Sequence, residues 1–158
     1  MGTERVERFI KENNIEAELR VLGQESTKNS ELAAKAVGCT IAEIAKSIAF
    51  YYEKEGGKYA VIVVLSGDKK VDEEKLTNFL GAREVERMDP DDVKNETGYA
   101  IGGVPPFPHS EKIKVVIDKS LFRFRRVWAA AGAPNAVMKI SPEMLANKLH
   151  LRICDVSK

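Results

Sequence analysis

The chain has 158 residues, of which 44% are hydrophobic and 31% charged, a balance that suits one soluble domain with a sizeable core. Its 25 basic residues stand against 24 acidic ones, and the resulting net charge of +1 excludes a general nucleic-acid coat protein while leaving an enzyme that grips only one end of an RNA. Two cysteines, Cys39 and Cys154, are too few for a disulfide framework and form no C-x-x-C pair, so both read as buried free thiols beside apolar neighbours.

The opening segment MGTERVERFIKENN is charged within its first turn and lacks the apolar centre of a signal peptide. No run reaches the roughly 18 apolar residues of a membrane helix, so a cytoplasmic protein without membrane contact is expected. Thr3 caps a first helix with Val6, Phe9 and Ile10 on one face, and Asn13-Asn14 ends it. Ala17, Leu19 and Val21 alternate with charges as in a half-buried strand. Gln24 to Ser30 reads as a polar loop. A helix opens at Asn29 or Ser30, turns Leu32, Ala33, Ala36 and Val37 inward, and closes at Gly38. Thr40 and Glu43 have capping-box spacing.

Ala45 to Tyr52 and Tyr59 to Leu65 read as two strands of a hairpin around Glu55-Gly56-Gly57-Lys58. Asp72 caps a helix bearing Leu76, Phe79 and Leu80, and Glu84 to Met88 reads as a short strand. Asp89-Pro90 starts another helix. Thr97 to Pro108 is rich in glycine and proline and irregular. Ile113 to Ile117 is a strand, and Asp118 with Ser120 begins a turn. Val127–Ala131 and Ala136–Ile140 flank the turn Gly132-Ala133-Pro134-Asn135, Ser141-Pro142-Glu143 starts a helix, and Leu151 to Cys154 closes the chain as a strand. With strands joined both by hairpins and by helices, an α+β fold is expected. It would be one domain over residues 1–158, with a mixed, mostly antiparallel, barrel-like sheet surrounded by helices.

Three features could carry chemistry. Lys46 is the lone charge in the strand Ile44-Ala45-Lys46-Ser47-Ile48-Ala49-Phe50. It either points to solvent, as most lysines do, or sits in a cleft to meet a phosphate or an oxyanion. Within the segment Thr97–Phe107, the nine residues from Gly98 to Pro106 hold three glycines and two prolines. It is either a tight turn or a stiffened loop whose backbone N–H groups meet a carbonyl. Asn135 lies in a β-turn and either ends its role there or also touches a ligand. His109 follows the Gly/Pro loop and either lines a cleft or, as is more common, sits at the surface. Neither it nor His150 forms a metal-binding spacing, and no G-x-S-x-G elbow or G-x-G-x-x-G phosphate loop is present, so no cofactor, no metal and no ready nucleophile–base pair is expected.

Glu31-Leu32-Ala33-Ala34 to Gly38, then Ile44-Ala45-Lys46-Ser47, Ser66-Gly67-Asp68, the G-x-x-x-P loop Gly102 to Pro106, Val116-Ile117-Asp118, Ala131-Gly132 and Ser141-Pro142-Glu143 occur in one order. This series, spanning roughly residues 26–153, resembles the YbaK/ProX family of free-standing aminoacyl-tRNA deacylases, related to the editing domain of prolyl-tRNA synthetases. The resemblance implies hydrolysis of the ester between a wrong amino acid and the tRNA 3′-terminal adenosine, on Cys- or Ala-tRNA(Pro)-like substrates. It implies a catalytic role for Lys46 and for the backbone at Gly102, with help from the substrate's own groups. It also implies a substrate-binding set of Ser47, Gly103, Val104, Pro105, Pro106, Gly132 and Asn135. Ser47, following the lysine, resembles the small-hydroxyl type within the family. The expected partner is the acceptor end of a mischarged tRNA, with an aminoacyl-tRNA synthetase as a further candidate. The alternative is a non-catalytic module that binds tRNA ends, nucleotides or a synthetase.

Overall fold

The computed structural model describes residues 2–23 and 29–158. In chain order its elements are α1 (Gly2–Glu12), β1 (Ala17–Val21), α2 (Ser30–Val37), β2 (Ile44–Lys54), β3 (Gly57–Ser66), α3 (Glu73–Leu80) and β4 (Glu84–Arg87). They continue as α4 (Pro90–Thr97), β5 (Ile113–Asp118), β6 (Val127–Ala130), β7 (Ala136–Ile140), α5 (Pro142–Lys148) and β8 (Arg152–Cys154). Short 3₁₀ turns lie at Ile41–Glu43 and Lys119–Arg123.

The helix ends follow their cap residues. Asn29, Asp72, Asp89 and Ser141 each accept an N–H from the first turn of the helix they open, and Gly38, Gly81 and Gly98 end three helices with positive φ. At the expected capping box, the Glu43 carboxylate accepts from both the N–H and the hydroxyl of Thr40. The polar loop expected at Gln24 to Ser30 lies outside the described residues up to Lys28; Asn29 is the cap of α2 and Ser30 its first residue. The inner face of α2 differs from the expectation. Ala33 and Ala34 are buried, with Val37 packed behind them, whereas Leu32 is 43% exposed and Ala36 points outward. The surface beneath the helix is already filled by Ile44, Trp128 and Val137, so only small side chains fit under it.

The strands form one curled, half-barrel sheet in the order β1-β7-β6-β2-β3-β5-β8, with β4 added on β2. The β2–β3, β2–β4, β6–β7 and β1–β7 pairs are antiparallel, and β2–β6, β3–β5 and β5–β8 are parallel, so the sheet is mixed and mostly antiparallel, as expected. β3 runs through the centre and is buried on both faces from Ala60 to Ser66, which accounts for its unbroken apolar run. One face joins Ala45, Ala49, Ile62 and Val64 to Met138, Ile140 and Leu145. The other joins Phe50, Val61, Val63 and Leu65 to Leu76 and Leu80 of α3. Among the described residues no helix is long and apolar enough to cross a membrane.

One detail of this sheet makes the site. β3 occupies the whole of one edge of β2, from Ala45 to Lys54. The opposite edge is shared: β6 pairs only with Ile44 and Ala45, and β4 only with Phe50 to Glu53. Residues 46–48 therefore face a split between two partner strands.

Candidate active site in the split sheet

A cavity of about 390 Å³ opens at this split. Lys46, Ser47 and Ile48 form its floor, Arg87 at the end of β4 stands on one side, and Trp128, Ala129 and Ala130 of β6 stand on the other. Ile101, Gly102 and Val104 approach from the Gly/Pro loop, and Asn29, Ser30 and Ala33 bring the start of α2 to the same space. Lys46 is half-buried, and its Nζ donates to the Gly67 carbonyl at 3.3 Å. Burial pushes its pKa below the usual lysine range, helped by the nearby cations Arg87 and Lys70 and opposed by Asp68. Asp68 is itself engaged, since Arg123 reaches both of its oxygens at 2.8 and 3.3 Å and holds the carboxyl below its ordinary range. The cation group at the cavity thus keeps its positive field.

The floor also presents backbone. The Ile44 carbonyl accepts from Gly67 N–H on the β3 side, and the Ala49 carbonyl accepts from Met88 N–H on the β4 side. Main-chain groups alternate between the two edges of an antiparallel strand, so those of Ser47 point into the split, where no strand meets them. The Ser47 hydroxyl is buried and has no hydrogen-bond partner.

The Gly/Pro loop offers a further donor. Gly103 N–H donates to the Ala100 carbonyl at 2.9 Å, closing a turn in which Gly102 is the third residue, with φ of 88°. Such a turn needs a left-handed residue there, which is why glycine occupies it. The Gly102 N–H has no partner among the described residues and belongs to a residue on the cavity wall.

The structure brings Lys46, Ser47, Gly102 and Val104 together around one cavity. It sets the other expected binding residues apart from that wall. Gly103, Pro105 and Pro106 are buried behind the loop. Gly132 donates its N–H to the Gly103 carbonyl at 3.0 Å, so it backs the loop. Asn135 ties down β1's far end: its side-chain amide donates to the Leu22 carbonyl at 3.3 Å, and its own carbonyl accepts from Leu22 N–H at 2.6 Å. His109, expected on the surface, is instead tucked beneath the loop. Its Nε2 donates to the Pro105 carbonyl at 2.7 Å while its buried Nδ1 has no partner; burial pushes its pKa down to about 4, with Arg5 adding to the effect and the Pro105 bond opposing it. Both cysteines are free, Cys154 buried and Cys39 only half-buried. Sequence reasoning missed Arg87, Trp128 and the start of α2. Arg87 sits in a charged strand, and Trp128 reads as core; only the pairing of β4 and β6 with β2 puts them at the cavity.

Chemically, the polar groups on this wall are two cations, two hydroxyls, one amide side chain, the Trp128 indole and backbone groups, with no carboxylate, imidazole or thiol among the described lining residues. Such a set binds an anion and polarises a carbonyl, but it holds no base to activate a nucleophile.

The chain matches the family model of the aminoacyl-tRNA editing domain over residues 24–148. It is 32% identical over 133 residues to the uncharacterized protein YwhH of Bacillus subtilis, covering 82% of each chain. It is 28% identical over 117 residues to the multifunctional Ser/Thr-tRNA deacylase ProXp-y of Escherichia coli, covering 73% of this chain and 70% of that one. A crystal structure of a proposed trans-editing enzyme for prolyl-tRNA synthetase superposes with a TM-score of 0.86 at 30% identity, over 99% of this chain and 97% of the other. Fold, order of motifs and family model agree: the chain belongs to the aminoacyl-tRNA editing domain family and is an ester hydrolase of that kind.

Proposed function

We propose that the protein acts in trans to remove a small, wrongly attached amino acid from tRNA, with Cys- and Ala-tRNA(Pro)-like species as its substrate class. The observation that carries this reading is the meeting of Lys46 and the free Gly102 N–H at one cavity in the split sheet. Lys46, with Arg87 and Lys70 nearby, holds the terminal nucleotide's phosphate, and the Gly102 N–H donates to the ester carbonyl as negative charge builds on it. Ala33, Ala129, Ala130, Val104 and Val137 leave room for a small side chain. The Ser47 hydroxyl, buried without a partner, is the polar group available to that side chain.

In the reaction a water oxygen adds to the carbonyl carbon and the ester C–O bond breaks. The ribose oxygen leaves with the proton that the water gives up, and free amino acid and uncharged tRNA result. With no base on the cavity wall, the proton passes through a group of the substrate, such as the neighbouring ribose hydroxyl. The resemblance of the whole chain to a proposed trans-editing enzyme for prolyl-tRNA synthetase supports tRNA(Pro) as carrier and a synthetase as working partner. The test is a panel of Ala-, Cys-, Ser- and Thr-charged tRNA(Pro) with correctly charged Pro-tRNA(Pro) as control. Rapid ester loss from one or more mischarged species with the control spared is the expected result. Tight binding without ester loss from any would replace the reading with a non-catalytic tRNA-end module.

A further inference from the structure

The loop from Gly98 to Pro108 has two faces. Ile101, Gly102 and Val104 look into the cavity, while the opposite face rests on α1, none of whose residues lines that cavity. The Arg5 guanidinium sits 4.5 Å from the centre of the Tyr99 ring, and its Nη1 donates to the Thr97 carbonyl at 3.5 Å. Phe9 meets Phe107 with ring centres 5.2 Å apart. Gly2 and Gly132 touch backbone to backbone, so closely that a Cβ on Gly132 would lie 2.5 Å from the Gly2 carbonyl oxygen. Gly132 in turn holds the Gly103 carbonyl. The helix therefore grips the loop at its start, at its end and, through Gly132, beside Gly102 itself.

We propose that α1 is a clamp that positions the Gly102 N–H, with Arg5 and Phe9 as positioning residues for the deacylation reaction. The inference rests on the reading that this N–H meets the substrate carbonyl. A loop without regular structure has many conformations close in energy, and a donor that stabilises developing charge must be held to a fraction of an ångström. Tyr99 and Phe107 are 1% and 2% exposed, and the α1 side chains Arg5 and Phe9 pack on these two aromatic anchors of the loop. Arg5 is exposed, and removing it opens no cavity in the core.

The test measures kcat and KM for the wild type, Arg5→Ala, Arg5→Lys and Phe9→Ala, beside Lys46→Ala, with circular dichroism for the fold and hydrogen exchange at the Gly102 and Gly103 amides. Arg5→Ala and Phe9→Ala should lower kcat about tenfold or more with KM moved less than about twofold, and should speed exchange at the loop amides. Arg5→Lys, which keeps a cation over the Tyr99 ring, should recover most of the rate. If Phe9→Ala fails to fold, exposed Arg5 decides the matter. Wild-type kcat and exchange in folded Arg5→Ala would overturn the clamp, and an inactive Lys46→Ala in the same assay would leave the deacylase reading standing. If even the wild type hydrolyses nothing, that reading falls, and loop exchange alone judges the clamp: unchanged protection in both variants overturns it.

Discussion

Lys46 is the only charge in the first half of β2, and what it does depends on where the strand's second edge is covered. Half-buried beside Arg87 and Lys70, it is a cation kept in a positive field rather than neutralised by a carboxylate, an arrangement that favours an incoming phosphate. Arg87, unlike Lys46, is exposed, and it lines the cavity. Arg87→Ala should raise KM about fivefold, the worth of roughly 1 kcal/mol for one exposed cation–anion contact, and lower the salt slope of tRNA binding by about one. An unchanged salt slope would take Arg87 out of the phosphate site. At Gly102, φ of 88° makes any side chain costly, by about 1–2 kcal/mol, and a branched one would also block approach to the N–H. Gly102→Val should abolish measurable turnover, and unchanged kinetics would discard the carbonyl-binding role. His109 makes a prediction about pH. Its folded pKa, near 4, lies below the ordinary histidine value, so the unfolded chain binds the extra proton first as pH falls. The stability that neutral His109 contributes is complete above about pH 6.5 and is lost as pH drops towards 4, by roughly 3 kcal/mol at most. Urea unfolding from pH 7 to 4.5 should show that slope in the wild type and a flatter one in His109→Gln. Parallel slopes would remove the histidine from the account.

At the scale of elements, much was legible because local chemistry governs it. The β2–β3 hairpin follows from two apolar runs around Gly56-Gly57, and four helices start at their expected cap residues, whereas α1 begins at Gly2 and takes in Thr3, the residue expected to cap it. Misreadings came where a neighbour decides. The α2 periodicity admits Leu32 as an inward residue, but the surface made by Trp128, Ile44 and Val137 takes only Ala33 and Ala34 closely. Asn135 is a turn residue, and its amide serves to hold Leu22 at the end of β1. His109 follows a proline-rich loop like any surface residue, yet that loop folds back over it so that the Pro105 carbonyl accepts a hydrogen bond from its Nε2. None of these contacts has a short-range signature.

For the whole molecule, the decisive feature is the pairing of β2 with three strands far apart in the chain. Two of them, β4 and β6, share one edge and leave the split over residues 46–48. Of the site residues implied by the family resemblance, Lys46, Ser47, Gly102 and Val104 line one cavity, whereas Gly103, Pro105, Pro106, Gly132 and Asn135 do not. Arg87 and Trp128 were beyond sequence reasoning, because parallel pairing of β6 with β2 and antiparallel pairing of β4 with the same edge are long-range choices made by the sheet as a whole. The same topology gathers charge and backbone donors at the split, which under the proposed function leaves the proton transfer to a group of the substrate.

The most direct measurement is the single-turnover rate of ester loss from the preferred mischarged tRNA(Pro), wild type against Lys46→Ala, with both proteins compared by urea unfolding. The account predicts a fall of about a hundredfold or more in rate, with stability changed by no more than about 1 kcal/mol. A folded Lys46→Ala protein that hydrolyses the ester at the wild-type rate would contradict it.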